Sequence, residues 1–149
     1  MMRIPPVLQV AFWAFIAWGL ARLFPDLEWD WPGQDVTAAV LSISAVVIAI
    51  AGIVQFHRHK TTVSPVALEQ ASTIVTDGIY RYTRNPMYLG MALLLTGWVI
   101  KLGNPLGALT IIGFVLVMTA IQIVPEERVL AQKFGAAHTD YLQKTRRWI

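Results

Sequence analysis

Four stretches of the chain consist almost entirely of apolar residues, and the polar and charged residues are concentrated between them. The stretches cover about residues 7–24, 36–56, 86–101 and 105–124. A helix rises about 1.5 Å per residue, so a bilayer core of about 30 Å needs about 20 residues. The second and fourth stretches are long enough, whereas the third is short. The pattern predicts an all-α membrane protein with about four transmembrane helices in a single domain, residues 1–149.

The third and fourth stretches are joined by a short polar turn, "KLGNPLG" at residues 101–107, which indicates a helical hairpin. Gly103 tolerates a positive φ, and Pro105 suits the first turn of a helix. After the fourth stretch, Pro125 should kink or restart the helix. We expect the remainder, residues 125–149, to form a helical tail.

The first stretch also has features of a cleavable signal peptide, because Arg3 precedes an apolar core. However, Trp13, Trp18 and Arg22 interrupt that core, and no cleavage site with small residues follows. The pattern therefore favours a retained membrane span.

Composition agrees with a membrane protein and excludes several kinds of site. The 149 residues are 56% hydrophobic and 14% charged, against about 25% charged in soluble domains. The chain has no cysteine, which excludes disulfides, thiolate metal ligands and thiol nucleophiles. Its three histidines lack metal-binding spacing, and neither a P-loop nor a GxGxxG motif is present. We expect no metal ion at its site and no nucleic-acid partner.

Lysine and arginine are distributed unevenly over the predicted loops. Ten of the twelve lie at the amino end, between the second and third spans, or in the tail, and only Arg22 and Lys101 fall on the opposite side. The loop on that opposite side, residues 25–35, is acidic and contains two tryptophans. The positive-inside rule then places both termini and the tail in the cytoplasm. We expect an integral protein of a bacterial inner membrane, surrounded by membrane lipids.

Two polar clusters lie at the predicted cytoplasmic ends of the hairpin. One is "GIYRYTRNPMY", residues 78–88, and the other consists of Gln122 and "PEER", residues 125–128. A carboxylate beside a span costs free energy unless it is paired or functional. Taken singly, these residues also fit an interfacial ion pair, such as Arg84 with Glu126, or an aromatic belt. Together they suit a polar ligand, because acids bind hydroxyls or amines and arginines bind carboxylates or phosphates.

The stretch "TIVTDGIYRYTRNPMYLG", followed by "PEERVLAQKFGAAHTDYLQKTRRWI", resembles the isoprenylcysteine carboxyl methyltransferase family, and most of all its small bacterial integral-membrane members. The related phospholipid N-methyltransferases share a similar pattern. The resemblance covers roughly residues 35–149. It implies a compact helical membrane enzyme that takes S-adenosylmethionine from the cytosol and a lipophilic acceptor from the bilayer.

The resemblance also implies roles for particular residues. The donor pocket is expected to comprise Ser72, Thr73, Ile74, Val75, Tyr80, Asn85, Pro86, Met87, Tyr88 and Glu126. Arg84 and Glu127 are expected to flank the reacting centre as catalytic residues. Separately, we expect Arg146 and Arg147 either to close the tail over the site or to contact anionic lipid.

The chain departs from the eukaryotic members of the family at two positions. They have a histidine where Asn85 stands, and an arginine linked to the substrate where Gln122 stands. Gln122 is therefore the expected substrate-binding residue, while the acceptor head group, a carboxylate or an amine, remains open. Two other functions also fit the sequence: a nicotinamide-dependent membrane reductase of the sterol-reductase type, and a non-catalytic membrane protein.

Overall fold

The computed structural model describes residues 4–59 and 73–149, which form helices joined by turns and short extended segments. The helices are α1 (Pro6–Leu23), α2 (Gln34–Arg58), α3 (Pro86–Leu102), α4 (Gly107–Met118), α5 (Val124–Phe134) and α6 (Ala136–Lys144). No strand occurs within these two described ranges. The prediction of an all-α protein is confirmed. Ser72, one of the expected donor-binding residues, lies outside the described residues.

Three helical segments have the length and apolar composition needed to cross a membrane. They are α1 with 18 residues, α2 with 25, and a continuous helix of 28 residues from Gly107 to Phe134. Helix α3 is apolar but has only 17 residues, about 25 Å at 1.5 Å per residue. The first three predicted stretches agree with α1, α2 and α3 to within two residues at each end.

The fourth helix differs from the prediction at both ends. It begins at Gly107, because Pro105 and Leu106 lie in the turn after α3. It then continues to Phe134 through a π-helical turn, Thr119–Ile123, instead of restarting at Pro125. Proline cannot donate a backbone hydrogen bond and its ring crowds the preceding turn. A π turn, which pairs residues five apart, accommodates that missing bond within one helix.

Small residues allow α2 and α3 to pack closely against each other. A Cβ atom added at Gly90 would lie 2.8 Å from the Ala45 carbonyl oxygen, and one at Gly97 would lie 2.9 Å from Ser42 Oγ. In a bilayer, helices associate mainly through such close packing, since lipid chains are as apolar as the side chains. The two glycines therefore set the distance between α2 and α3.

Helix α1 packs against α3 and α4 and completes the bundle. The Trp98 indole of α3 donates its N–H to the Ala14 carbonyl oxygen of α1 at 3.1 Å. The Trp13 ring fills the space beside Gly113 of α4. A core cluster joins α3 to the long helix: Tyr88, Ala92, Leu95, Phe114, Met118 and Ile123. Trp148, far along the tail, packs against this cluster.

The ends of α1, α2 and α3 opposite the polar clusters are tied together by hydrogen bonds. Gln34 Nε2 donates to the Ile100 carbonyl oxygen at 2.8 Å and so joins α2 to α3. Asn104 Nδ2, in the turn after α3, donates to the Phe24 carbonyl oxygen at the end of α1 at 2.9 Å. Gly103 ends α3 with φ of 67°, the left-handed conformation expected there. These bonds anchor the hairpin turn to α1 and α2.

Candidate active site

The first polar cluster is held in a compact turn ahead of α3. Residues Gly78–Arg81 form a single 3₁₀ turn, in which Gly78 has φ of 57° and lies directly against the Gln55 side chain of α2. The positive φ favours glycine at position 78, and a larger side chain there would also have to displace the Gln55 side chain. The buried Tyr80 ring packs edge-on against Phe56, with the ring centroids 5.4 Å apart. Helix α2 thus positions the turn.

The start of α3 follows from the local sequence "TRNP". The Asn85 N–H donates to Thr83 Oγ1 at 3.2 Å, and Pro86 occupies the first helical position, where its missing N–H is not needed. Pro86 is buried against Gly52 of α2, and Met87 lies beside it. Of the expected donor-binding residues, Pro86 and Met87 therefore contact α2.

A buried hydrogen-bond network joins the two polar clusters. Tyr88 Oη donates to Glu126 Oε1 at 2.8 Å, and Gln122 Nε2 donates to the same oxygen at 2.5 Å. Gln122 is 1% exposed and Glu126 9% exposed. Gln122 lies on the π turn, one turn before Glu126. Its other amide atom, Oε1, is buried without a hydrogen-bond partner in the described part of the chain.

The adjacent acid, Glu127, is bound by two arginines. Arg84 Nη2 lies 3.0 Å from Glu127 Oε1, and Arg147 donates from Nε to Oε1 at 3.1 Å and from Nη2 to Oε2 at 2.7 Å. The hydrogen bonds from Arg147 to Glu127 raise the pKa of the Arg147 guanidinium, an effect that desolvation partly opposes, so Arg147 stays charged. Arg84 also donates to the Leu142 carbonyl oxygen. The two residues expected to be catalytic, Arg84 and Glu127, thus pair with each other.

The last residues of the tail, 145–149, fold back over both clusters, and we call them the strap. The Arg147 carbonyl oxygen accepts hydrogen bonds from Asn85 Nδ2 at 3.0 Å and from Thr83 Oγ1 at 3.4 Å. Trp148 donates its indole N–H to Thr119 Oγ1 on the π turn at 3.1 Å. Arg146 is exposed. Of the two expected roles for the tail arginines, closing the tail over the site fits Arg147, which binds Glu127. Contact with anionic lipid remains open to the exposed Arg146.

Buried titratable groups surround this arrangement on the tail side. Tyr141 of α6 donates its hydroxyl to the Tyr80 carbonyl oxygen at 2.7 Å. Burial raises the pKa of both tyrosines, so their hydroxyls stay protonated at neutral pH. His138 is 2% exposed. Burial lowers its pKa, Glu127 partly opposes that shift and Arg84 adds to it, so the ring is neutral.

The structure brings most of the expected site residues to one place at the start of α3 and the end of the long helix. These are Arg84, Asn85, Tyr88, Gln122, Glu126 and Glu127, with Tyr80 nearby. Thr73 is exposed, Ile74 is half-buried and Val75 is buried, all on the approach to the Gly78–Arg81 turn. Their role in donor binding stays a prediction.

Sequence reasoning missed Thr119 and Trp148, which join the strap to the π turn. A tryptophan in a basic, polar tail was the one available signal, because an isolated large aromatic residue there suggests a packing site. Thr119 carries no such signal, since threonine within an apolar helix commonly bonds its own backbone, as it does here to Val115.

The chain is similar in sequence to one known protein family and to several known proteins. The sequence model of the phospholipid methyltransferase family matches residues 34–137, which include both polar clusters. An uncharacterized protein of Haemophilus influenzae is 46% identical over 63 residues, covering 42% of this chain and 100% of that protein. A probable protein-S-isoprenylcysteine O-methyltransferase of Oryza sativa subsp. indica is 32% identical over 127 residues, covering 83% of this chain and 64% of that protein. Protein-S-isoprenylcysteine O-methyltransferase A of Arabidopsis thaliana is 30% identical over 121 residues, covering 81% and 61%.

The chain spans less than two thirds of the length of these plant relatives. No solved structure matches it significantly. None of these relatives supports a nicotinamide-dependent reductase or a non-catalytic protein. The resemblance predicted from the two motifs is confirmed. The match over residues 34–137 covers more than half of the sequence, and the chain belongs to the phospholipid methyltransferase family.

Proposed function

We propose that the chain transfers a methyl group from S-adenosylmethionine to a lipophilic acceptor at the cytoplasmic face of the membrane. The observation that carries the proposal is the buried network of Tyr88, Gln122 and Glu126, which lies where the two family motifs meet. Membership of a methyltransferase family supports the reaction type. The plant relatives are named for a lipid-modified cysteine, which supports a lipophilic acceptor.

The network fits S-adenosylmethionine by the chemistry of its donors and acceptors. The unpartnered Gln122 Oε1 and the Glu126 carboxylate are both acceptors, and both lie in a buried position. Such a pair suits an ammonium group or ribose hydroxyls, which can only donate to these oxygens. Tyr88 and Trp148 add aromatic surface at the same site, and aromatic rings attract organic cations.

The reaction requires alignment more than acid–base catalysis. S-adenosylmethionine, when bound, would supply a methyl group on a positively charged sulfur. A nucleophile in line with the carbon–sulfur bond would take the methyl group, and the sulfur would leave as a neutral thioether. The task of the protein is therefore to hold the reactants in line. Tyr88 and Gln122 fix the orientation of the Glu126 carboxylate. The strap, through buried Thr145 and packed Trp148, keeps water from the site and strengthens each polar contact there.

Arg84 and Glu127 remain our candidates to flank the reacting centre. Their contacts with each other and with Arg147 limit what each can do there. Both Glu127 oxygens are engaged by guanidinium groups, and the positive charge of these groups makes the carboxylate a weaker base for an amine acceptor. A carboxylate acceptor needs no base. Arg84 Nε is buried without a partner in the described residues, which suits a carboxylate or phosphate of the acceptor. We keep both a carboxylate and an amine as candidate head groups of the acceptor.

The first test is calorimetric titration of the purified protein in detergent with S-adenosylmethionine and S-adenosylhomocysteine. We expect a dissociation constant on the order of micromolar, within the usual range for enzyme ligands. Glu126→Ala should weaken binding by about tenfold or more, because it removes a charge-assisted acceptor. Glu28→Ala, an exposed acid at the opposite end of the bundle, is the matched control.

Transfer itself is measured with the labelled methyl donor and bacterial membrane lipids in detergent. Label that appears in the lipid fraction, and is lost with Glu126→Ala, is the expected result. Folded wild-type protein that binds neither compound would contradict the proposed function. Binding without transfer to any lipid would contradict the lipophilic acceptor alone.

A further inference from the structure

We propose that Trp148 is a positioning residue for this methyl transfer, acting through its hydrogen bond to Thr119. The inference rests on the proposed function, and it assigns the strap a specific task. Trp148 holds the first residue of the π turn, and Gln122 projects from the same turn towards Glu126. The indole thereby sets where the Gln122 amide and the Glu126 carboxylate lie.

The hydrogen bonds at Thr119 show why the indole N–H matters. The Thr119 hydroxyl donates its proton to the Val115 carbonyl oxygen at 2.6 Å. Its oxygen is then available only as an acceptor, and it receives the Trp148 N–H at 3.1 Å. Trp148 thus supplies a donor to a hydroxyl oxygen that can only accept. Since π turns are rare and commonly occur at functional sites, a dedicated clamp on this one is informative.

The neighbouring residue delivers Trp148 to this position. Arg147 binds the first motif through its carbonyl oxygen, which accepts from Asn85, and the second motif through its guanidinium, which binds Glu127. These contacts keep the strap in place when the indole N–H alone is removed. Replacement of Trp148 by phenylalanine should therefore release the π turn without detaching the strap.

The chain provides a matched comparison for that substitution. Trp98 donates its indole N–H to the Ala14 carbonyl oxygen at 3.1 Å, the same length as the Trp148 bond. That bond joins α3 to α1, away from both polar clusters. Trp98→Phe and Trp148→Phe each remove one indole hydrogen bond and retain an aromatic ring. A general effect of losing such a bond on stability should therefore appear in both variants. An effect on positioning should appear only in Trp148→Phe.

The test uses the full chain in detergent and five variants: Trp148→Phe, Thr119→Val, Thr119→Ser, the double variant Trp148→Phe/Thr119→Val, and Trp98→Phe. For each we measure donor affinity by calorimetry, kcat and KM for methyl transfer, and the thermal unfolding midpoint. Trp148→Phe and Thr119→Val should each weaken donor binding or lower kcat by roughly three- to tenfold, as expected for one hydrogen bond. The double variant should be no worse than Thr119→Val alone, because the bond that Trp148→Phe removes is already lost in that variant.

Rescue by the conservative change completes the test. Thr119→Ser keeps the hydroxyl and should behave like wild type, and Trp98→Phe should leave donor affinity and kcat unchanged. If wild type binds the donor but Trp148→Phe does no more than Trp98→Phe, the inference is overturned and the proposed function stands. Additive losses, or loss in Thr119→Ser equal to that in Thr119→Val, would also overturn it. Wild-type protein without donor binding would overturn both.

Discussion

The two adjacent glutamates occupy different electrostatic surroundings although they are neighbours in the sequence. Glu126 accepts hydrogen bonds from the neutral groups of Tyr88 and Gln122. Glu127 is bound by the guanidiniums of Arg84 and Arg147. Two guanidinium groups on one carboxylate, one of them bidentate, form a strong and geometrically specific contact. At the residue scale, Glu127 is therefore the acid that holds the strap, while Glu126 lies in the buried network with Tyr88 and Gln122.

His138 gives a prediction about pH at the same scale. The pKa of His138 is lowered in the folded protein, so folding favours the neutral ring. At a pH below the ordinary pKa of histidine, the unfolded chain therefore binds a proton that the folded protein does not. Stability from this group is present above about pH 6.5 and is lost as the pH falls. We expect acidification from about pH 7.5 to about pH 5.5 to lower the unfolding temperature of wild type more than that of His138→Gln.

The unfolding temperature is measured by circular dichroism in detergent at both pH values. His57→Gln serves as the control, because His57 is exposed at the end of α2. This variant should retain the full pH dependence of wild type. An equal pH dependence in wild type and His138→Gln would show that burial of His138 does not affect stability.

The sequence largely predicted which polar residues lie together at the candidate site, but not how they pair. The two motifs named Arg84, Glu126 and Glu127. Adjacent residues of a helix point about 100° apart, so the partner of each acid depends on the rotation of α5, and the π turn before Pro125 sets that rotation. The sequence offered Arg84 with Glu126 as one interfacial pair, whereas Arg84 pairs with Glu127.

At the scale of elements, the close contact of α2 with α3 positions the first motif. Gly90 allows that contact because its Cα lies over the Ala45 carbonyl group. Gly90→Ala should therefore force the helices apart and destabilise the protein by about 1–3 kcal/mol, the usual cost of overpacking. Gly19→Ala is the matched control, since an added Cβ there meets nothing within 4 Å.

Thermal unfolding in detergent distinguishes these two variants. Gly19→Ala should leave the midpoint unchanged or slightly raised, because alanine favours helix over glycine. Gly90→Ala should lower the midpoint and weaken donor binding with it, since Pro86 at the start of α3 packs on α2. A Gly90→Ala protein as stable as wild type would contradict the role of this contact.

Helix positions were predictable because the length of each apolar stretch dictates them. The fourth helix departs from the prediction at its start, Gly107, and at Pro125, where it continues. The bounds of α1, α2 and α3 follow from apolar stretches that end at polar or turn residues. Pro125 predicts a kink or a restart, and the helix continues through a π turn instead of restarting; nothing in "TAIQI" marks that turn beforehand. The strap depends on the direction of α6, since Trp148 and Thr119 are 29 residues apart.

For the whole molecule, the charge distribution predicts the orientation in the membrane. Because the chain has no cysteine, single cysteines report which side each segment faces. In intact bacterial cells, Glu28→Cys should react with a membrane-impermeant maleimide, because its loop is predicted to face outward. Gln132→Cys, exposed on α5, should react only after the inner membrane is permeabilised.

Both positions are exposed in the protein, so access to the reagent is the only difference expected between them. Reaction of Gln132→Cys in intact cells would reverse the predicted orientation. It would also place the polar network away from the cytosol, where the methyl donor is made, and so would count against the proposed function.

The strap has a consequence for how the protein is made. The helices that carry both motifs are synthesised before Arg147 and Trp148. Until the ribosome has added these two residues, Glu127 lacks its second guanidinium and the Thr119 hydroxyl lacks the indole N–H. A nascent chain should therefore carry an incomplete candidate site, and the site should take its final form only after synthesis of the tail.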